Sequence, residues 1–329
     1  MTVYANPQGE SFVTLPAADT GFEGVACVDD AARALLLYAT IWRRWRRPWA
    51  RDRALGLSAF VRAMQQPDGS FCNFVLDWQG TQNLDGLTSA PGTPSPWTLR
   101  ALHALAYAAT ALEDPACRQA FRAGVRWLNA PTPYMDLRAL AVLAALAADG
   151  LGLEERLPVS GWCDEIAAMR RGPVLLNHRN EQAPHLWGHL QAAALAEAGR
   201  VHNVPAWVAA ARQSADALLT PAAVEGLPHQ HAVAFDVSCV VLGLDAVALA
   251  TGDDAYQRSA ELARAWFWGR NAAQRPVYDT ARGLVHDGVD HGVLNPGSGA
   301  ESNIEGALAL LNRTIVSAAG RGLNVLSRV

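Results

Sequence analysis

Carboxylates occur near both ends of the chain, at the starts of two predicted helices. Asp29 and Asp30 begin the first predicted helix, and Glu301 begins the last one, directly after the glycine-rich segment NPGSG. Carboxyl groups donate and accept protons in catalysis, so these three residues are candidate catalytic residues. The alternative is structural, because acidic side chains at a helix N-terminus cap the helix and interact favourably with its dipole.

The spacing of these acids restricts what each of them can do. Adjacent helical residues point about 100° apart, so we expect one of Asp29 and Asp30 to face a cavity while the other caps the helix. Glu305 follows Glu301 by one turn on the same helix face. A neighbouring carboxylate raises the pKa of a glutamate and a helix N-terminus lowers it, and the sequence leaves both effects open for Glu301.

Histidines form two closely spaced pairs. His185 and His189 have the i,i+4 spacing of a helical metal site, but the segment reads HLWGH and lacks the glutamate of the H-E-x-x-H motif. His229 and His231 are two residues apart and could join a metal site only from a loop. We therefore expect no metal and no other cofactor. Hydrogen bonding to substrate hydroxyls, or satisfaction of polar groups in the core, is the expected role of these histidines.

The composition excludes several kinds of protein. All 27 cationic residues are arginine, so Schiff-base, pyridoxal-phosphate and Walker-A chemistry, each of which requires a lysine amine, are excluded. A net charge of -4 gives no footprint for nucleic acid. The five cysteines form no C-x-x-C pair. With no visible signal peptide and no sufficiently long apolar run, we expect a cytoplasmic protein without membrane contact.

Elements with helical periodicity dominate the chain, and strand patterns are nearly absent. An Ala/Leu-rich segment, a short turn and a second amphipathic segment recur, which indicates repeated helical hairpins. A closed all-α toroid of about six hairpins fits this count, with an open solenoid as the alternative. We expect a single domain over 1–329. The predicted pairs are 29–45 with 51–66, 96–112 with 115–128, 135–148 with 162–171, 184–198 with 205–219, and 232–250 with 254–268, followed by a helix over 301–318.

Polar residues cluster in the long segments between hairpins and at the starts of the first helix of each pair. These segments cover 67–95, 172–183, 220–231 and 269–300, and long ordered loops usually carry function. If the more apolar first helices form an inner ring, these residues line one cavity mouth. Tryptophan and imidazole side chains there would stack on and hydrogen-bond to sugar rings. The candidate substrate-binding residues are Trp78, His185, Trp187, His189, His229, His231, Asp236 and Asp287.

Three ordered motifs resemble those of a bacterial family of helical-toroid proteins. They are CVDDAARALL (27–36), QPDGSFCNFV (66–75) and a C-terminal segment (267–311) that includes NPGSGAESNIEG. The family pattern is approximately C-T-D-D-N-A-R-A-L for the first motif and N-x-G-A-E-S-T for the last, so Ala31 and Asn303 depart from it. The resemblance implies an (α/α)6 toroid similar to six-hairpin glycosidases. Members occur alone or fused to glycosyltransferases, which makes a glycosyltransferase a candidate partner.

These observations together predict a carbohydrate-active enzyme. The leading hypothesis is a glycoside hydrolase for a short oligosaccharide, with Glu301 as the acid, Asp30 or Asp29 as the base, and inversion at the anomeric carbon. A more distant similarity supports it, since inverting toroid glycosidases place an N-terminal aspartate pair opposite a C-terminal glutamate. One alternative is a sugar 2-epimerase-like isomerase that uses the paired histidines, and another is a non-catalytic glycan-binding partner of a glycosyltransferase.

Overall fold

A computed structural model describes residues 2–8, 11–14, 22–153, 156–227 and 231–311 of the chain. Short strands accompany a predominantly helical architecture, so the prediction of an all-α protein is confirmed. Within the described residues the helices are α1 (Val28–Trp45), α2 (Pro48–Ala63), α3 (Pro96–Ala111), α4 (Pro115–Gly124), α5 (Met135–Ala147), α6 (Val159–Ala168), α7 (Gln191–His202), α8 (Pro205–Ser214), α9 (Thr220–Glu225), α10 (Ala234–Thr251), α11 (Asp254–Arg264) and α12 (Ala300–Leu310).

Six of these helices form a closed inner ring. Helices α1, α3, α5, α7, α10 and α12 each contact the next in this order, and α12 returns to contact α1. The second helix of each hairpin packs outside the first, as α2 does on α1 and α11 on α10. Closure of the ring excludes the open solenoid. Residues 312–318 of the last predicted helix lie outside the described residues.

Local sequence signals explain several helix starts. Ser95 and Asp114 each precede a proline, and their side chains accept hydrogen bonds from the backbone N–H groups of Thr98 (3.3 Å) and Ala116 (2.8 Å). Proline fits the first helical position because its missing N–H would have no partner there. The predicted starts of α3 and α4 are therefore confirmed.

The strands are short and stabilise the loops at the ends of the helices. They are β1 (Ala5–Gln8), β2 (Ser11–Thr14), β3 (Ala26–Cys27), β4 (Phe74–Val75), β5 (Arg170–Arg171), β6 (Val174–Leu175), β7 (His231–Val233), β8 (Tyr278–Asp279), β9 (Leu284–Val285), β10 (Gly288–Asp290) and β11 (Val293–Asn295). All the pairs are antiparallel, and β10 joins β7 to β11 in a three-stranded sheet. Sheet β3–β4 ties the start of α1 to the loop that precedes α3.

The fourth hairpin differs from its prediction. Helix α7 begins at Gln191 instead of residue 184, so His185 and His189 lie in a loop and do not share a helix face. Gly188 adopts a left-handed conformation with φ of 72°, which interrupts the helical pattern of the preceding residues. The predicted loop 220–231 also contains a short helix, α9, which continues α8 through a π-helical turn over Ala215–Leu219.

Helix α10 is the most apolar helix of the ring. It has the length and hydropathy of a membrane-spanning helix, and 67% of its 18 residues are buried inside the protein. Its position between α7 and α12 accounts for this composition, because an inner helix has neighbours on most of its circumference. Trp207 and Trp266 are both buried in the packing between helices.

Candidate active site

A buried arginine, Arg33, lies where the first turns of α1 and α12 meet. Its guanidinium contacts four carboxylates, at 2.9 Å from Asp29, 3.3 Å from Asp30, 3.0 Å from Glu301 and 2.9 Å from Glu305. The contacts to the two glutamates are ion pairs without hydrogen-bond alignment. We call these five residues, together with Arg100, the Arg33 cluster. It joins the three candidate catalytic residues, which come from opposite ends of the chain.

Arg100 of α3 completes the cluster from the other side. Its Nη1 lies 2.6 and 2.7 Å from the two oxygens of Asp29. The guanidiniums of Arg33 and Arg100 lie 4.8 and 5.4 Å from the centre of the Phe235 ring. Cations over an aromatic face are attracted by its quadrupole, so Phe235 holds both guanidiniums in place.

Cys27 caps the start of α1, so the side chains of Asp29 and Asp30 are both available to contact Arg33. The N-cap of α1 is Cys27, whose sulfur accepts a hydrogen bond from the N–H of Asp30 at 3.4 Å. The N–H of Asp29 donates to the side chain of Asn73 at 3.1 Å, and Asn73 in turn donates to the carbonyl of Thr88. The expectation that one aspartate caps the helix is therefore wrong. The motif over 66–75 orients the start of α1 instead.

The glycine-rich approach to Glu301 is held by Asp287. This carboxylate accepts hydrogen bonds at 2.6 Å from the hydroxyl of Tyr4 and from the N–H of Gly299. A Cβ atom at Gly297 would lie 1.9 Å from the Tyr4 hydroxyl and 2.5 Å from Asp287, so any larger residue would displace this hydrogen-bonded pair. Asp287 thus positions the start of α12, and the structure places it in the scaffold beneath the loop.

The cluster is electrostatically unbalanced. Four carboxylates surround two guanidiniums, which leaves a surplus of two negative charges when every acid is ionised. Burial raises the pKa of Asp30 to about 6, against the opposing effect of Arg33, and burial also raises the pKa of Glu305. For Asp29, burial is outweighed by Arg100 and Arg33, which lower its pKa. The cluster therefore holds a proton up to about pH 6 while Asp29 stays ionised.

Exposure divides the four acids into two layers. The side chains of Glu301 and Asp29 are 35% and 20% exposed, whereas those of Asp30 and Glu305 are 8% and 5% exposed. Only the upper layer, Glu301 and Asp29, can contact a substrate. Asp30 is largely buried and contacts Arg33, so it can influence a substrate only through its neighbours.

Three candidate substrate-binding residues lie in the loop before α7. Trp187 is half-exposed and packs edge-on against Phe235, with ring centres 5.4 Å apart. His185 lies 3.5 Å from Glu181. His189 is buried, and burial together with His185 lowers its pKa to about 4, so its ring is neutral. Its Nε2 has no hydrogen-bond partner among the described residues. The Phe235 contact brings this loop to the Arg33 cluster.

The other candidates have separate surroundings. Trp78 is exposed on the loop between α2 and α3. His231 lies on β7, 3.1 Å from Asp290. Asp236 accepts a hydrogen bond from the N–H of Val233 at 2.9 Å and so stabilises the start of α10. His229 lies outside the described residues. Across the described parts of the chain, no group of three or more His, Cys, Asp or Glu side chains is arranged to hold a metal ion.

Sequence reasoning missed the cations of the site. Arg33 and Arg100 were not among the candidates. Asp136, one of the polar residues expected at the starts of the first helices, lies at the start of α5. Burial raises the pKa of Asp136, with Arg100 and His185 close enough to oppose the shift. A usable signal was present for Arg33. It lies four residues after Asp29, on a helix face that is otherwise apolar, where an arginine requires buried partners.

Solved structures resemble this chain in fold, whereas sequence comparison finds no match. No protein-family model matches the chain, and no curated protein matches it. Solved structures do. A D-mannose isomerase aligns with a TM-score of 0.65 at 11% identity, covering 93% of this chain and 92% of its own. The chain has the (α/α)6-toroid fold.

Two further solved structures have the same fold. A sugar epimerase from a ruminal bacterium gives a TM-score of 0.66 at 11% identity, with 88% of each chain covered. A family 76 glycoside hydrolase from a bovine Bacteroides thetaiotaomicron strain gives 0.66 at 10% identity, covering 94% of this chain and 72% of its own. The predicted six-hairpin architecture is confirmed by all three.

Proposed function

We propose that the protein is a carbohydrate-active enzyme that hydrolyses a glycosidic bond with Asp29 and Glu301. The main support is that these two accessible carboxylates contact the two terminal nitrogens of the buried Arg33 guanidinium, at 2.9 and 3.0 Å. By the planar geometry of that group, the two bound oxygens are at most roughly 8 Å apart. This limit admits the lower part of the range of about 6.5–9.5 Å that leads to inversion and also the separation of about 5–5.5 Å that leads to retention. Inversion is proposed from the similarity to inverting toroid glycosidases.

The environments of the two acids assign their roles. Asp29 receives hydrogen bonds from Arg100 and lies against Arg33, which keep it ionised and suit it to activate water. Glu301 contacts Arg33 through Oε2 and is the most exposed acid of the cluster. It would act as the general acid that protonates the leaving oxygen. Asp30 and Glu305 are positioning residues that hold Arg33.

The comparison with solved structures supports a sugar as the substrate class. The proteins of similar fold include enzymes named for mannose isomerisation, sugar epimerisation and glycoside hydrolysis. The half-exposed Trp187 supplies an apolar face beside the cluster, which suits stacking on a sugar ring. A cytoplasmic location and a glycosyltransferase partner remain predictions from the sequence.

A sugar isomerase is the second candidate. His189 favours it, because a neutral imidazole with a free Nε2 can accept or relay a proton. That mechanism would place two histidine pairs across the cavity with Glu301 directed away from them. In the described residues Glu301 instead faces Arg33, and His231 is bound to Asp290. Hydrolysis by the two acids is therefore favoured.

One assay separates these functions. The protein is incubated with a panel of short oligosaccharides and free sugars in D2O, and NMR follows cleavage, the anomer released, and deuterium at C2. Hydrolysis predicts cleavage that is lost in both Asp29→Asn and Glu301→Gln, with melting temperatures close to wild type. Glu261→Gln, a half-exposed glutamate on α11, is the matched control. Deuterium exchange without cleavage would establish the isomerase, and saturable binding without either reaction would establish a binding protein.

A further inference from the structure

A cavity extends along the axis of the ring, and Arg33, Arg100 and Glu305 of the Arg33 cluster form part of its wall. Side chains from all six inner helices line it. On α1 its wall runs from Arg33 through Leu36 to Arg43. Ten residues of helix correspond to a rise of about 15 Å. We call this cavity the axial chamber.

The walls of the axial chamber are mainly aliphatic. They are formed by leucine, alanine and valine side chains, among them Leu140, Leu143, Leu146, Leu242 and Leu308. His103 also faces the chamber, and burial lowers its pKa to about 4, so it adds no charge. A site for sugars alone would present many more hydrogen-bonding groups. The chamber suits a hydrocarbon chain.

A layer of side chains separates the axial chamber from the candidate active site. Arg33, Phe235 and Glu305 form it, and all three are buried, at 4–5% exposed. Ion pairs and the two cation–aromatic contacts hold this layer together. A sugar at the carboxylates therefore does not extend into the chamber. Access lies toward the C-terminal ends of the inner helices, where Thr110 is exposed.

Arg43 lies at the far end of the axial chamber. Two acids line the chamber there, and each has its own arginine, with Arg200 2.9 Å from Glu197 and Arg264 bound to Asp245. Arg43 lies over the Tyr107 ring at 5.7 Å. Among the described residues, no carboxylate forms an ion pair with it. Its guanidinium is thus available to an anion at the rim of an apolar cavity.

We propose that the axial chamber binds a medium-chain amphiphile, with its alkyl chain among the leucines and its anionic head group at Arg43. The committed ligand class is a fatty carboxylate. An alkyl sulfate would share the same chemistry and serves to test the head group. This site is independent of the proposed hydrolysis, because it lies on the opposite side of the buried layer.

Chain length gives the first test, on the wild-type full-length protein. Equilibrium dialysis with hexanoate, octanoate and decanoate should show saturable binding to one site, tightening about fourfold for each added CH2. The gain should end when the chain exceeds the depth of the chamber. Ligand that binds only the native state also raises the melting temperature. Non-saturable uptake, or no binding by any of the three, would overturn the proposal.

Two variants with matched controls locate the site. Leu143→Trp fills the chamber and should abolish octanoate binding, whereas Leu262→Trp, on the exposed side of α11, should not. Arg43→Gln should weaken octanoate and octyl sulfate about tenfold and leave octyl glucoside unchanged. Arg47→Gln, an exposed arginine at the same end of α1, should change none of them. Equal affinities in Arg43→Gln and Arg47→Gln, with Leu143→Trp still binding, would rule the chamber out.

Discussion

Two buried arginines of this protein have different surroundings, and the difference separates the site from the scaffold. Arg33 contacts four carboxylates, of which three are 20% exposed or less. Arg264 on α11 contacts one buried carboxylate, Asp245, and a half-exposed one, Glu261, and donates to the carbonyl of Ala309. The two arginines are equally buried, at 5% exposed.

The number of buried acids for each cation accounts for the contrast. Around Arg264 the single buried negative charge is balanced, and the arginine ties an outer helix to α10 and α12. Around Arg33 the buried acids outnumber the two guanidiniums, so protons must be shared among them. Buried ion pairs with balanced charge are common in scaffolds, whereas groups of acids whose pKa values diverge are typical of catalytic sites.

The largest predicted effect comes from removing the central cation. Arg33→Met leaves three buried carboxylates with Arg100 alone and should lower the free energy of unfolding at pH 8 by about 3–5 kcal/mol. The loss should shrink at pH 5, where the acids can take up protons. Arg264→Met leaves only one acid, Asp245, without its arginine, so it should lower the free energy of unfolding at pH 8 by clearly less than Arg33→Met does. Urea unfolding of both variants measures this, and equal costs would remove the contrast between the two arginines.

Asp30→Asn should show the next largest effect, as a change with pH. The folded pKa of Asp30 is raised to about 6 from an ordinary 3.8, so the folded state binds its proton more tightly and loses stability as pH rises from about 4 to 6. Asparagine cannot ionise, so the free energy of unfolding of Asp30→Asn relative to wild type should increase by up to about 3 kcal/mol as the pH rises through this window. A constant difference across that window, measured by urea unfolding, would show that Asp30 is already ionised at pH 4.

Phe235→Leu should have a smaller effect, confined to the Arg33 cluster. It removes the ring beneath Arg33 and Arg100 and should cost about 1–2 kcal/mol of stability. A double-mutant cycle with Arg100→Met isolates the contact between ring and guanidinium. A coupling energy of zero in that cycle would mean that Phe235 serves only as apolar filling.

Glu261→Gln should have the smallest effect. Its carboxylate contacts Arg264 at 2.7 Å but is half-exposed, and exposed ion pairs contribute little. The free energy of unfolding should change by no more than about 0.5 kcal/mol, which the melting temperature measures, and catalytic turnover should match wild type. A large loss of stability would mean that Arg264 depends on two acids rather than one.

The sequence predicts the ring more fully than it predicts the site. Periodicity and proline–cap pairs are local signals, and they located α3 and α4 closely. The candidate acids Asp29 and Glu301 also followed from position at helix starts. The cations did not, because the partners of Arg33 lie up to 272 residues away, at Glu305, and only the closure of the ring brings them together. Helix α7 was misplaced because the left-handed Gly188 interrupts a pattern that otherwise continues.

The Arg33 cluster holds a proton up to about pH 6 while Asp29 remains ionised, and this separation of the two aspartates underlies the proposed roles of the acids. Carbon-13 NMR of the aspartate carboxyl carbons, titrated from pH 3 to 8 and assigned with Asp29→Asn and Asp30→Asn, measures this directly. The predicted result is protonation of Asp30 with an apparent pKa near 6, whereas Arg100 and Arg33 hold the pKa of Asp29 below its ordinary value. If both carboxyl groups titrate together near pH 4, the surplus of acids holds no proton and the claim is contradicted.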